Sequence, residues 1–436
     1  MRTQLGFPST FTGTGALQTA LIVVAGLVLI PAAHCVAQNT NVVAGDSRDD
    51  LIRQMQMQLQ RLESEVKELR AKSANSVSRE PPQVSGIATT AEVPDSAVNF
   101  GGEDPDVRNR YPSLQFHGFG DVNYIVTDRS GDHNTFAIGQ MDFFVTSRLA
   151  EDLNVLTEVV AETTPDNEVK FEVERLLLQY RPREYFNVAA GRYHTAIGYY
   201  STTYHHGSWF QTTVSRPFIF DFEDDEGVLP LHNVGLSFNG AIPSGSLGLQ
   251  YVFEVGNGRK YGSDGKEPVL NVADDNSFKA LNFGLSARPD ILPGLQLGVS
   301  WYFDRLTPDN QPRINQSIVA AYVVYQRPKF EFLNELLWIR HDPQTAGDTT
   351  ESWAAYTQLS QQFGRFRPYV RYQYMYAPEE DPIFANFGVT GLTHGPSIGL
   401  RYDFSDFATI KVQADHYWRG NERSFKQFTT QVGFTF

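Results

Sequence analysis

From Leu114 to its last residue, this chain is written in segments of about 9 to 14 residues in which apolar and polar side chains alternate, the period of a β-strand with one apolar face. In the first segment Leu114, Phe116, Gly118, Gly120, Val122 and Tyr124 share one face, and Gln115, His117, Asp121 and Asn123 the other. Leu247, Leu249, Tyr251, Phe253 and Val255 repeat the pattern, as do Leu295, Leu297, Val299, Trp301 and Phe303. It persists to the end, where Phe428, Val432, Phe434 and Phe436 alternate with Thr429, Gln431 and Thr435. Chain ends are usually frayed and polar, so a terminal Phe closing an alternating strand implies that the last residue is held in a sheet. The small and polar faces could not form the core of a soluble sandwich of this size. The apolar face is therefore expected to meet lipid, with the sheet closed to leave no edge.

Sixteen such segments begin near residues 114, 135, 155, 168, 185, 233, 246, 278, 294, 313, 329, 352, 366, 395, 407 and 423, an even number as bacterial barrels require. Short turns alternate with long connections at about 194–232, 257–277, 304–312, 342–351 and 377–394. Both barrel ends fall on the short-turn side, which assigns that side to the periplasm. Arg175 to Leu178 breaks the alternation, and a bulge or a strand boundary is expected there. The chain has a mean hydropathy of −0.32 and one uninterrupted apolar run, whereas a helical membrane protein needs several of roughly 20 residues. The fold class expected is all-β: a transmembrane antiparallel β-barrel of about 16 strands, preceded by a short α-helical coiled coil.

The apolar run, Ala20 to Ile30, follows Arg2 and precedes Pro31 and small residues. This is the layout of a secretory signal peptide over residues 1–37. Cleavage there removes Cys35, the only cysteine; a lipoprotein would instead begin at Cys35, but His34 stands where that processing wants a small residue. Residues 46–72 follow, with Ile52, Met55, Leu59, Leu62, Val66 and Leu69 at heptad a/d spacing and Glu65 and Arg70 at flanking g and e positions. With fewer than three heptads, such a helix needs partners of its own kind, or another surface to lie on. Residues 73–112, rich in Ser, Pro, Asn, Asp and Glu, read as a flexible linker to the 113–436 barrel.

The 194–232 connection holds Tyr199, Tyr200, Tyr204, Trp209, Phe210, Phe218, Phe220 and Phe222, too many aromatics to leave in water. Folded into the lumen, it would set Asp221, Glu223, Asp224, Asp225 and Glu226 at a constriction; packed on itself, it would be an outward flap. Strand parity turns Arg367, Arg371, Arg401 and Lys411 inward as a basic wall, and Asp142, Glu158, Glu162, Glu172 and Glu174 inward as an acidic one, beside Lys170. Opposed walls create a transverse field that favours small polar solutes. Residues 113–436 carry 26 Lys and Arg against 38 Asp and Glu, a lean toward cations.

On these residues the 113–436 region resembles the Gram-negative general and phosphate-selective (O/P-type) porins, and most resembles the O/P type, whose extension the coiled coil and linker are similar to. The resemblance rests on terminal Phe436, the strand count and the segment Gly191-Arg192-Tyr193 to Gly198. The chain departs from the family at Ala196, where Pro is frequent, and in lacking an arginine-rich third loop. It implies a homotrimer in the bacterial outer membrane, sixteen strands per chain, a third external loop in the pore, and recognition of the Phe436 strand by the barrel-assembly machinery. The expected partners are outer-membrane lipid and small polar solutes, with no nucleic acid.

Three motifs compete with this reading. His205 and His206, with His194, His232 and the acidic run, carry no metal-motif spacing and read as loop anchors, so no metal or other cofactor is expected. Gly395-Pro396-Ser397-Ile398-Gly399 matches G-x-S-x-G, but without a following helix the nucleophile's sharp turn cannot form, so no catalytic residue is assigned. Tyr376, Tyr417 and Trp418 read as an interfacial girdle. The function expected is passive diffusion of small polar or charged solutes through a water-filled channel. The alternatives are an outer-membrane barrel hydrolase and a structural or adhesive barrel with a closed lumen.

Overall fold

The computed structural model describes residues 112–163, 168–204, 208–220, 229–260, 273–308, 312–345, 347–420 and 423–436. The signal peptide, the linker and the seam Ile52, Met55, Leu59, Leu62, Val66 and Leu69 lie outside the described residues. Period-2 alternation produces sixteen described strands: β1 Ser113–Thr127, β2 Thr135–Ala150, β3 Leu153–Thr163, β4 Val169–Arg183, β5 Phe186–His194, β6 His232–Ala241, β7 Leu249–Gly256 and β8 Ala280–Ala287, then β9 Leu295–Leu306, β10 Ile314–Arg327, β11 Phe330–Pro343, β12 Thr350–Gln361, β13 Phe366–Ala377, β14 Gly391–Asp403, β15 Ala408–Arg419 and β16 Phe425–Thr435. Each pairs antiparallel with its neighbours in sequence, and β1 pairs with β16 to close the barrel.

All sixteen segments read from the sequence coincide with a strand. The largest differences are at β7, which starts at Leu249 rather than 246, and β14, which starts at Gly391 rather than 395. Before β7, Gly245 and Gly248 both take left-handed conformations with φ of 56°, and they turn the chain where alternation alone would continue a strand. At β14 the run Gly391-Leu392-Thr393-His394 has no alternation of its own but is ordered by pairing with Tyr374 to Ala377 of β13. The break near Arg175 is a bulge one residue earlier: Glu158 pairs with Arg175 and Val159 with Val173, leaving Glu174 as the extra residue. Parity reverses there. Glu172 and Glu174 are buried above the bulge, whereas below it Leu177 is buried between exposed Leu176 and Leu178.

The outward face is mainly apolar, with Leu114 73% exposed, Phe171 69% and Ile398 61%. Phe238, Phe253, Phe283 and Trp301 form a ladder across β6 to β9, with ring centroids 5.9, 4.8 and 6.0 Å apart. Tyr376 and Trp418 are exposed on this surface, but Tyr417 shares the face of buried Asp415 and packs on Phe425 with centroids 5.1 Å apart, so it leaves the expected girdle. No helix among the described residues is long and apolar enough to cross a membrane; the strands do so.

Closure depends on β1 and β16. Gly118 donates to the Phe436 carbonyl at 2.9 Å, Phe436 donates back at 3.0 Å, and Thr435 Oγ1 also donates to the Gly118 carbonyl at 3.0 Å. The Phe436 and Phe434 rings lie directly over Gly118 and Gly120, where any Cβ would overlap them. Phe143 packs edge-on against Phe436, with centroids 6.3 Å apart. Gly118→Leu is therefore expected to destabilise the barrel by about 1 to 3 kcal/mol through overpacking. A lowered denaturant midpoint of the detergent-folded protein is the measurement.

Candidate functional site

The connection from β5 to β6 turns inward, and its path follows from one glycine. Gly198 has φ +72°, and a Cβ there would overlap Glu335 Oε2 of β11. This approach lets the Tyr199 and Tyr200 amides donate to the two Glu335 carboxylate oxygens at 2.6 and 2.9 Å, where the short helix Tyr200–Thr203 begins. The carboxylate meets amide donors that a helix start leaves orphaned, and such charge-assisted bonds are the strong ones. Tyr356 of β12 donates its hydroxyl to the same carboxylate. Nearby, the Ala196 amide donates to Glu254 of β7 at 2.9 Å, and Tyr199 Oη donates to Gln326 of β10 at 2.8 Å. Burial pushes the Tyr200 phenol up to about 12, against the opposing pull of Arg371 and Arg216, so it stays a neutral donor.

Around this anchor the inside of the barrel is apolar, which corrects the expectation of a small and polar inner face. Ile314, Ile318, Ala320 and Val324 of β10 and Leu333, Leu337 and Ile339 of β11 are buried on it. They form a core with Ile197, Tyr199, Tyr200, Ile219, Phe220, Leu229 and Leu231 of the connection. A strand covered on both faces needs apolar residues on both, and Ile318 to Tyr325 accordingly loses its alternation.

The second half of the connection is held by the inner face of β13 to β15. Arg371 donates to the Ser215 carbonyl at 2.9 Å and to Ser215 Oγ at 2.8 Å. Arg401 donates to the carbonyls of Trp209 at 2.8 Å and Gln211 at 3.1 Å. Lys411 donates to the carbonyls of Ser208 and Thr213. Arg367, on the same inner face, instead bonds the short turns through Gln362 and the Pro328 carbonyl. Ser208 Oγ reaches Asp121 of β1 at 2.8 Å, and Arg216 reaches Gln140 of β2 at 3.2 Å. The connection thus touches wall strands β7 to β15 and also β1 and β2.

Of the acidic set, Asp142, Glu158, Glu172 and Glu174 are buried, while Glu162 is half-buried and accepts from the Gln140 amide. Lys170 is exposed. Arg175 pairs with Glu158, and His232 with Glu174. Asp221, Glu223, Asp224, Asp225 and Glu226, and also His205 and His206, lie outside the described residues. Ser397 sits in mid-β14, paired to Arg371 on one side and Asp415 on the other, so G-x-S-x-G here lies in a straight strand.

A further polar cluster, unforeseen from the sequence, fixes the 378–390 connection. Asp381 is buried and accepts from the Ile383 and Phe384 amides at 2.9 and 2.8 Å, from Thr350 Oγ1 at 2.6 Å, and pairs with buried His341 Nδ1 at 2.9 Å. Burial alone would raise its pKa, but the hydrogen bonds from His341, Phe384 and Thr350 outweigh it and hold the carboxyl below its ordinary value. The sequence signal was Asp381-Pro382, a capping residue before Pro at a helix start.

No protein-family description matches this chain, and no curated protein does. Solved structures match in fold. The anion-selective porin of Comamonas acidovorans is 10% identical, with 74% of this chain and 100% of that one covered and a TM-score of 0.52. The outer membrane channel DcaP of Acinetobacter baumannii is 11% identical over 74% and 97%, with a TM-score of 0.51. OmpT, an outer membrane protein of Vibrio cholerae in its trimer form, is 9% identical over 74% and 99%, with a TM-score of 0.50. The chain therefore has the fold of the outer-membrane porin barrels, closed by sixteen strands.

Two outcomes follow. Glu335→Leu should leave the Tyr199 and Tyr200 amides unsatisfied at about 1 to 3 kcal/mol per group, and hydrogen exchange at residues 198–204 should speed up while β11 stays protected. Because the Asp381 pKa is depressed on folding, its stabilisation is present above the unfolded value of about 3.9 and lost as pH falls through the lower folded value. Acid should therefore loosen residues 381–389 in the wild type, whereas Asp381→Asn should be loosened already at neutral pH, both read by hydrogen exchange.

Proposed function

We propose that this protein is a passive diffusion porin of the bacterial outer membrane, in which small polar or charged solutes cross a lumen constricted by the 194–232 connection. One observation carries the reading: a closed, lipid-facing barrel secures a long connection to its own inner wall. Such a loop narrows a pore without sealing the barrel by strands. The acidic residues Asp221 and Glu223 to Glu226 belong to that connection and would set the field at its narrowest point. The net charge of the barrel region leans the same way, toward cations.

Phosphate selectivity of the O/P kind finds little support. Arg371, Arg401 and Lys411 are engaged by loop carbonyls and do not form an open basic ladder among the described residues. What the O/P likeness does suggest is architecture: a signal peptide, a coiled coil over 46–72, a linker and a barrel, assembled as a homotrimer, with Phe436 presented to the barrel-assembly machinery. A trimeric form of a fold neighbour supports that oligomer. We assign no catalysis, since Ser397 sits in a paired strand. The second reading is a closed-lumen barrel, favoured by the burial of Asp142 and Glu158.

Single-channel recording in planar bilayers separates these readings. A porin gives salt-proportional current in trimer-like steps, and well-folded protein without current is the closed barrel. Neutralising Glu223 to Glu226 should move the reversal potential toward anion permeation; an unchanged potential would place those residues away from the constriction.

A further inference from the structure

β4 parts from β5 partway up the barrel. The β4–β5 ladder ends at Leu176 and Arg192, while β4 stays paired to β3 up to Val169. Two histidines stand just beyond the gap. His194 ends β5 and His232 begins β6, and they are direct cross-strand partners with ring centroids 5.1 Å apart. The bulge residue Glu174 points at them from β4, its Oε2 against His232 Nε2. One ligand atom from each of Glu174, His194 and His232 lies within 4.8 Å of the others.

We propose that Glu174, His194 and His232 bind a divalent transition-metal ion of the zinc class. Two imidazole nitrogens and a carboxylate oxygen form a common zinc donor set. Bonds of about 2.0 to 2.2 Å put tetrahedral donors roughly 3.4 Å apart, so the widest separation closes by roughly 1.4 Å, within the reach of side-chain rotation. Glu158 offers a fourth ligand. Its Oε2 is 3.8 Å from His194 Nε2 and is paired with Arg175, and its Oε1 accepts no hydrogen bond among the described residues. All four side chains are at most 8% exposed, so the ion would be held within the wall. Arg192 Nε donates to the Glu174 carbonyl at 3.2 Å and fixes the bulge that aims the carboxylate, the outer-sphere support that metal ligands need.

The topology gives this site a purpose. His194 and His232 bracket the 195–231 connection, and a shared ion ties both of its ends to β4 where no ladder does. Ordinary ion pairs, His232 with Glu174 and His194 with Glu158, are the competing account, and metal titration separates the two. The proposal stands apart from the channel reading, because its readout is binding and not conductance.

The test is zinc titration by calorimetry on the full-length, detergent-folded protein after chelator treatment, with metal content measured after dialysis. One zinc per chain is expected. His194→Asn and His232→Asn, which keep hydrogen-bonding capacity, should each weaken binding at least about tenfold. A His205→Ala/His206→Ala control should bind as the wild type does. Glu174→Gln gives a second route should either histidine variant fail to show the gel shift of a folded barrel. No zinc on folded wild type, equal affinity in the folded ligand variants, or loss only in the His205/His206 control would overturn the site.

Discussion

A backbone in hydrocarbon has no water to fall back on, so every amide and carbonyl of a spanning segment must find its partner within the protein. A ribbon of strands meets that demand only when its two edges meet, and here they meet through β1 and β16. The outward Phe, Leu and Ile side chains, the even strand number and the glycines beneath the terminal phenylalanines follow from that closure. Gly118 and Gly120 give up side chains so that the Phe434 and Phe436 rings can cover the seam.

Inside the closed wall a second folding problem is solved with soluble-protein physics. The connection after β5 carries its own apolar residues and brings them against β10 and β11, and Glu335 ends the approach by gathering the first amides of a short helix. The basic side chains of β13 to β15 hold the other half through backbone carbonyls. The wall is thus both membrane anchor and scaffold, and the same strand answers to lipid on one face and to a packed loop on the other.

The barrel was legible because alternation is a local signal, and the lipid boundary imposes it on every strand. It faded where a second surface intervened. In β10 the stretch Ile318 to Tyr325 reads as a continuous run of apolar and Tyr residues where the connection covers its inner face, and nothing in a period-2 count says what does the covering. Glu331 and Glu335 of β11 were not singled out by the sequence pattern, and partners of theirs are 119 and 136 residues away in sequence. Parity also put Arg371, Arg401 and Lys411 on the inner face but could not show that their charges meet carbonyls of a loop 156 to 203 residues earlier. The meeting of Glu174 with two histidines depended on a bulge whose position the sequence placed only approximately.

The pairing of residue 118 with residue 436 bears on how such a chain comes into being. The partner of β1 is β16, and every other strand lies between them in sequence, so no fragment lacking β16 can complete the ring, however many of the other strands it holds. A product truncated by even one strand carries two raw edges into the membrane's path, and a cell can tell it from the finished molecule by that alone.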